Sequence, residues 1–354
     1  MQRPLLPFCL ALLLLLPAAF VSAQNDNEVT LTVWHSFAAE SQEEATFLDA
    51  VIQFEQENPH ISIEVTGVPF SDIDRLYEIA AQGGEAPDIV RLSSDQLGKI
   101  GEIRVEGFPL LEDLRPHLTP FQRATFDDQA LQSMRYGDAL YGLPASQDCL
   151  SLLYNRALFD AEGLAYPNEN WTDRDFLSAA ENLTQGDVYG LAIPVKSAYW
   201  WFPFQSGFGG SLFDSNGQPT LDSNGSAEAL DWYLSLEQEH EVVRTGTVGE
   251  TMKSQFIQSQ AAMIVDGPWN WATYEAGRLD VGQTLLPVIE ETGLRASPLV
   301  LYKGWSISKQ SQEKIAATSL ILHLSSSDVQ KSFALETMTM PTALEAISDQ
   351  EVQA

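Results

Sequence analysis

The chain has 354 residues, 49 of them acidic and 19 basic, for a formal net charge of −30 at pH 7. A field of that sign repels nucleic acid and anionic lipid and disfavours polyanionic ligands unless a local basic pocket overrides it, and it leaves neutral and cationic ligands open. With 44% hydrophobic residues there is ample apolar material to bury, and the length suits two domains of ordinary size better than one.

The first 23 residues read as an export signal. Arg3 supplies the positive start, Leu5 to Leu16 the apolar run, and Val21-Ser22-Ala23 a small-residue cleavage pattern before Gln24. The run breaks at Pro17 and is shorter than the roughly 20 residues that span a bilayer. Cys9 lies inside the run rather than at the cut, which argues against lipid attachment. The expectation is an exported chain, cleaved after Ala23 and free in a periplasm. Cys149 is then the one cysteine left, so no intrachain disulfide forms and stability rests on burial. Cys149 itself reads as a small buried hydrophobe.

Short strand-like runs then alternate with amphipathic stretches. Val29, Leu31 and Val33 alternate with polar neighbours as a strand does. Ser41 and Glu44 form a capping box, Phe47, Leu48, Val51, Ile52 and Phe54 give a helical face, and Asn58-Pro59 stops it. A strand at Ile61 to Val65, a helix through Ile73, Leu76, Tyr77 and Ala80 ending at Gly83-Gly84, and a strand at Ile89 to Leu92 follow. This β-α-β-α-β order predicts a mostly parallel sheet covered by helices. The pattern restarts after Pro144. Leu150 to Tyr154 is apolar, Thr172 and Asp175 cap a helix, and Val188 to Val195 is a strand. Helices follow around Leu230 to Leu236 and up to Gln260. Ala262 to Val265 is a buried strand, Val281 to Ile289 and Gly304 to Ser308 are later strands, and Ile315 to Leu324 is a helix. No Pro/Ser linker separates the halves.

Aromatic residues carry the functional signal. Ala262 to Val265 ends in Asp266-Gly267-Pro268, a sharp turn, and Trp269 and Trp271 follow at once. That places a flat ring just beyond a core strand, where α/β folds put ligands. Tyr199, Trp200 and Trp201 are consecutive and cannot all face one core, so a ring among them meets a cleft or water. A pyranose offers a C–H face to such a ring and hydroxyls at its rim to carboxylates. The repeated Asp-Ser-Asn-Gly at 214–217 and 222–225 reads as two tight turns, because neither copy has the further ligands of a calcium loop. The five histidines show no metal spacing, and there is no nucleophile elbow and no Gly-rich phosphate loop. No cofactor or metal is expected.

The segments TVWHSF, EAPDIVRLSSDQLG, LYGLPASQDCLSLLYN, NWTDRDFLSAAENLT, AAMIVDGPWNWA and QTLLPVI together resemble, in family order, the extracellular solute-binding proteins of ABC sugar importers, the maltose/maltodextrin-binding group. The likeness runs from about Val29 to Phe333. It implies an α/β, type II periplasmic-binding-protein fold with two lobes, hinge crossings and an interlobe cleft. The N-terminal lobe would be 29–147 plus 303–325, and the C-terminal lobe 148–302 plus 326–354. Asp95 matches a sugar-hydroxyl carboxylate and Asp148 a position usually held by Glu. Tyr199 matches an aromatic contact, Trp269 the stacking ring, Ser36 and Phe37 the first cleft loop, and Trp305 a crossing past the ligand. Trp200 joins the set from the aromatic run itself. Leu92, Gln96 and Ser197 depart from maltodextrin binders, which carry Trp, Arg and an acid there, so maltose itself is not implied. The chain ends soon after MTMPTALEAISDQEV, where similar proteins continue through further helices, so a fragment or a differently completed last lobe is expected. The resemblance implies a monomeric, non-catalytic receptor that passes a sugar to a membrane permease. The rival readings are an exported carbohydrate hydrolase, a same-fold binder of a polyamine or other small solute, and a surface-interaction protein with no small ligand.

Overall fold

The computed structural model describes residues 28–353; the expected signal peptide lies outside them. Alternation makes Val29–His35 (β1) a strand with Leu31, Val33 and His35 turned inward. Ser41 caps Gln42–Glu57 (α1) by accepting the Glu44 amide at 3.1 Å. The other half of the expected box is displaced by one residue: the Glu44 carboxylate accepts the amide of Glu40 at 2.7 Å. The helix buries Thr46, Phe47, Ala50, Val51 and Phe54 at the spacing of one helical face. Ile61–Gly67 (β2), Ile73–Gly83 (α2), Ile89–Ser93 (β3) and Ser94–Glu102 (α3) follow. Strand β3 is buried at every position, as a central strand covered on both faces must be.

Leu143–Asp148 (β4) belongs to this first sheet, and Ser151–Asn155 (β5) already lies in a second, so Cys149 and Leu150 make the first crossing. The second lobe continues through Asp173–Leu183 (α4), Tyr189–Ala192 (β6), Ala198–Gly207 (α5), Asn224–Gln238 (α6) and Gly249–Ile257 (α7). It ends with Ala261–Asp266 (β7), Trp271–Ala276 (α8) and Val281–Thr284 (β8). The chain returns as Leu301–Ile307 (β9), then Lys314–Leu324 (α9), Ser327–Thr337 (α10) and Leu344–Ser348 (α11).

The first sheet has the order β2-β1-β3-β9-β4 and the second β6-β7-β5-β8. Strand β1 pairs in parallel with β2 and β3, but β9 enters antiparallel between β3 and β4. The sheet is therefore mixed rather than mostly parallel, because a strand returning from the other lobe comes in from the opposite end. The second sheet is mixed for the same reason, with β5 antiparallel to both β7 and β8. Each sheet has its own core: Leu31, Phe47, Ile89 and Trp305 sit in one, and Leu152, Phe176, Phe204 and Val265 in the other.

Two expectations are corrected here. The segment 326–354, assigned to the C-terminal lobe, packs on the first lobe through its described residues. Phe333 of α10 stacks on Phe37 at 5.5 Å. Gln330 donates to Pro144 O of β4 at 3.3 Å and accepts the amides of Thr342 and Ala343 at 2.6 and 2.9 Å. The apolar face of α10 thus finds its partner in the first core. The second Asp-Ser-Asn-Gly copy is a turn only at Asp222, where the Ser223 amide donates to Thr220 O at 3.1 Å, and then opens α6 with Ser223 as its cap. Gly225 is needed there because a Cβ would press on the Phe208 carbonyl and lie 2.8 Å from the Gly210 nitrogen. The first copy is the turn expected, with the Asp214 carboxylate accepting the Asn216 amide at 2.8 Å.

Candidate functional site

Strand β7 is buried throughout and ends on Asp266, whose side chain has no solvent exposure. Its carboxyl accepts the Gly267 amide at 2.9 Å, the Asn270 side-chain amide at 3.0 Å and the Tyr274 hydroxyl. Burial pushes this carboxyl up to about 6, against the pull of those donors. The three bonds fix the turn that presents Trp269. A single 3₁₀ turn, Pro268–Asn270, and the short helix α8 continue where an abrupt stop was expected. The indole of Trp269 folds back over Gly267, where an added Cβ would lie 2.6 Å or less from ring carbons. Gly267 has φ −115 and so is extended; it is needed for space, not for an unusual backbone.

Tyr199 and Trp200 open helix α5, which points this aromatic run at the same place. The rings of Tyr199 and Trp269 are 6.3 Å apart, and Trp200 meets Tyr199 edge-on at 5.2 Å. Trp200 is anchored, its Nε1 donating to Val265 O at 2.7 Å. The Tyr199 hydroxyl is buried and has no hydrogen-bond partner among the described residues. Burial raises its pKa, and the carboxylates of Asp148, Asp266 and Asp95 act in the same direction. Tyr199 therefore stands within electrostatic reach of both sequence-predicted acids.

Asp148 terminates β4 at the crossing and is buried. It forms an ion pair with Lys303 of β9, a residue that sequence reasoning passed over. The Lys303 ammonium also lies over two rings, 5.2 Å from the centroid of Phe70 and 5.6 Å from that of Trp269. Phe70, in the loop before α2, is 41% exposed. Its loop is held by Gln96, which donates to Phe70 O at 3.1 Å while its oxygen accepts the Ser93 amide at 3.1 Å. Asp95 is exposed at the start of α3 and accepts from the Ser93 hydroxyl. Asp95, Asp148, Tyr199, Trp200 and Trp269 thus lie near one another where the lobes meet, with Phe70 and Lys303 added.

Ser36, Phe37 and Trp305 lie elsewhere. Trp305 is 2% exposed and stacks on Phe47 at 5.2 Å, within the first core. Phe37 is also buried, between Phe47 at 5.3 Å and Phe333 at 5.5 Å, with the Arg91 guanidinium 4.1 Å above its ring. Ser36 accepts from Arg91 at 3.4 Å. Ser36 and Phe37 thus hold Arg91, whose charge, with that of Glu43, acts on the Asp148–Lys303 pair; Arg91, Glu43 and Lys303 were not foreseen. Burial lowers the pKa of Arg91, and Glu43 and Asp148 oppose that shift. Burial raises the carboxyl of Glu43, which Thr339 also bonds at 3.1 Å. Burial likewise raises the Cys149 thiol, away from the range of a reactive thiolate. No group of three or more metal-ligating side chains occurs among the described residues, and no helix there is long and apolar enough to cross a membrane.

Rings from the two α/β lobes, Phe70 from one and Trp269 from the other, thus meet about the Asp148–Lys303 pair. The chain belongs to the bacterial extracellular solute-binding protein family, whose model matches residues 49–354. It is similar to the galactooligosaccharide-binding protein of Bacillus subtilis, 25% identical over 312 residues, covering 85% of this chain and 70% of that protein. It is also similar to the maltotriose-binding protein of Pyrococcus abyssi, 23% identical over 328 residues, covering 91% and 68%. Among solved structures, the maltose/maltodextrin-binding domain MalE of Bdellovibrio bacteriovorus bound to maltotriose superposes with a TM-score of 0.82. That pair is 26% identical, over 92% of this chain and 84% of that one. The two-lobed, periplasmic-binding-protein-like α/β fold is shared with that structure.

Proposed function

We propose that this chain captures a sugar or oligosaccharide between its lobes and delivers it to an ABC importer in the membrane. Trp269 supplies the stacking face, Tyr199 and Trp200 flank it, and Asp148 and Asp95 accept hydroxyl hydrogen bonds. The observation that carries this reading is the seating of Trp269. A buried carboxyl with three donors and an obligatory glycine are spent on holding one partly exposed ring at a cleft. The unpartnered Tyr199 hydroxyl beside it is suited to a sugar hydroxyl.

The role is binding without turnover. Asp148 is tied to Lys303, which suits a hydrogen-bond acceptor better than a proton shuttle. The relatives named above are binding proteins. Contacts come from both lobes, so they form together on closure, and ligand shifts the open–closed equilibrium toward the shape a permease reads. Export to a periplasm, cleavage after Ala23 and a monomeric state complete the proposal. The test is calorimetry of the mature protein against mono-, di- and trisaccharides, amino acids and polyamines. A saccharide is expected to bind with affinity near micromolar, about −8 kcal/mol, and Trp269→Ala to remove a few kcal/mol of it. Unaltered saccharide affinity in Trp269→Ala would overturn the assignment.

A further inference from the structure

Two aromatic faces and a set of carboxylates are, by themselves, the chemistry of an organic-cation site. This cleft has that set: Phe70 from one lobe and Trp269 from the other, each over the Lys303 ammonium, Asp148 paired with that ammonium, Glu43 within electrostatic reach of both, and Asp95 near Tyr199. The whole chain adds a net charge of −30, which concentrates cations around it. What stands against cation binding is one side chain. Lys303 is fixed by the pairing of β9 with Ser93 on one side and Ser146 on the other. Its ammonium is within 5.2 and 5.6 Å of the two ring centroids and in an ion pair with Asp148.

We propose that Lys303 is the charge-selectivity residue of the cleft: it fills the cation position between Phe70 and Trp269, neutralises Asp148, and so admits a neutral sugar ring while excluding cationic solutes. The inference rests on the sugar-binding reading and extends it to the ligand's charge class. An ammonium keeps further N–H donors and a carboxylate further lone pairs when the two are paired. Side by side they offer a donor and an acceptor to neighbouring hydroxyls, each of which donates and accepts. A cationic ligand would instead have to displace Lys303 from Asp148 and leave its ammonium unpaired in a mostly buried place, which is unfavourable. An anionic ligand would meet an ammonium whose charge Asp148 already neutralises, with the Glu43 carboxyl within electrostatic reach.

The experiment is calorimetry of the wild type, Lys303→Met, Lys303→Gln and Lys303→Arg with spermidine and, separately, with the tightest saccharide of the panel. Thermal denaturation checks that each variant folds. Lys303→Met is expected to gain spermidine binding by about tenfold or more over the wild type and to lose saccharide affinity by a similar factor. Lys303→Arg should go on excluding spermidine, because the charge is kept. Lys303→Gln, neutral but polar, stands in if the Met variant does not fold. Folded neutral variants that exclude spermidine as well as the wild type does would overturn the inference, as would a wild type that binds spermidine. A wild type that binds no saccharide would sink the parent reading, while the spermidine comparison would still decide the role of Lys303.

Discussion

Gly267→Ala isolates the seating of Trp269 from the ring itself. The new methyl would lie 2.6 Å or less from carbons of the indole. Contact distance is near 3.5 Å, so about 1 Å of movement is forced on something. The backbone resists, because the Gly267 amide and the Asn270 side chain are both bonded to the buried Asp266 carboxyl. The indole must therefore swing away from its seat. Overpacking of this kind costs about 1–3 kcal/mol, and a displaced stacking ring loses a comparable share of binding, or about 5- to 150-fold in affinity. Calorimetry with the panel's best saccharide and thermal denaturation read the two parts. The decisive comparison is Gly267→Ala in a Trp269→Ala background. There the clash partner is gone, the extended backbone accepts alanine, and the change becomes neutral or stabilising by about 0.4–1 kcal/mol through the unfolded chain. Equal costs in both backgrounds would refute the reasoning.

Asp266 gives a pH prediction. Its folded pKa is raised, to about 6, so its favourable share of stability is whole below the ordinary carboxylate range and is lost as pH rises through about 6. The stability difference between Asp266→Asn and wild type should drift in favour of Asn from pH 4 to 7, by up to about 3 kcal/mol; a pH-independent difference in denaturant titrations would contradict it. Removing one partner of the buried Asp148–Lys303 pair should cost about 3 kcal/mol or more, and the Asp148→Leu/Lys303→Met double variant less than the sum of the singles, as a double-mutant cycle would read. Gly225→Ala should destabilise α6 by at least about 1 kcal/mol, since the atoms it meets are backbone and do not step aside. Melting temperature checks that directly.

Much of this architecture was legible because it depends on patterns with a period. The spacing in Phe47, Val51 and Phe54, the alternation in β1 and the unbroken apolar run of β7 each dictate an element without reference to the rest of the chain. The direction of β9 was not legible, because nothing local in YKGWSI says that the chain arrives from another lobe. Trp269 and Tyr199 were singled out since rings crowded beyond a strand, or three in a row, exceed what a core absorbs. Arg91 and Lys303 were missed for the converse reason. Each is a lone charge inside an apolar strand, and only tertiary pairing tells a buried ion from a surface one. Alternation in the strand sets Lys303 on a par with Trp305, which hides that one reaches the cleft and the other the core.

Trp305 shows how the two kinds of aromatic residue are told apart in solution. A ligand-stacking ring contributes to affinity and little to folding, whereas a core ring does the reverse. Trp305 is 2% exposed, with Phe47 stacked on it at 5.2 Å and Phe37 at 6.4 Å. Trp305→Ala should therefore cost about 3–5 kcal/mol of stability, a fall of about 4–7 °C in melting temperature for a chain of this size. Any effect on saccharide binding would pass through Phe37 and Arg91, not through direct contact. Trp269→Ala should show the opposite split, with affinity lost and the melting temperature nearly kept. If Trp305→Ala melts like the wild type and fails to bind, its ring belongs to the cleft, and the packing of Phe37 against Phe333 would have to open when ligand enters.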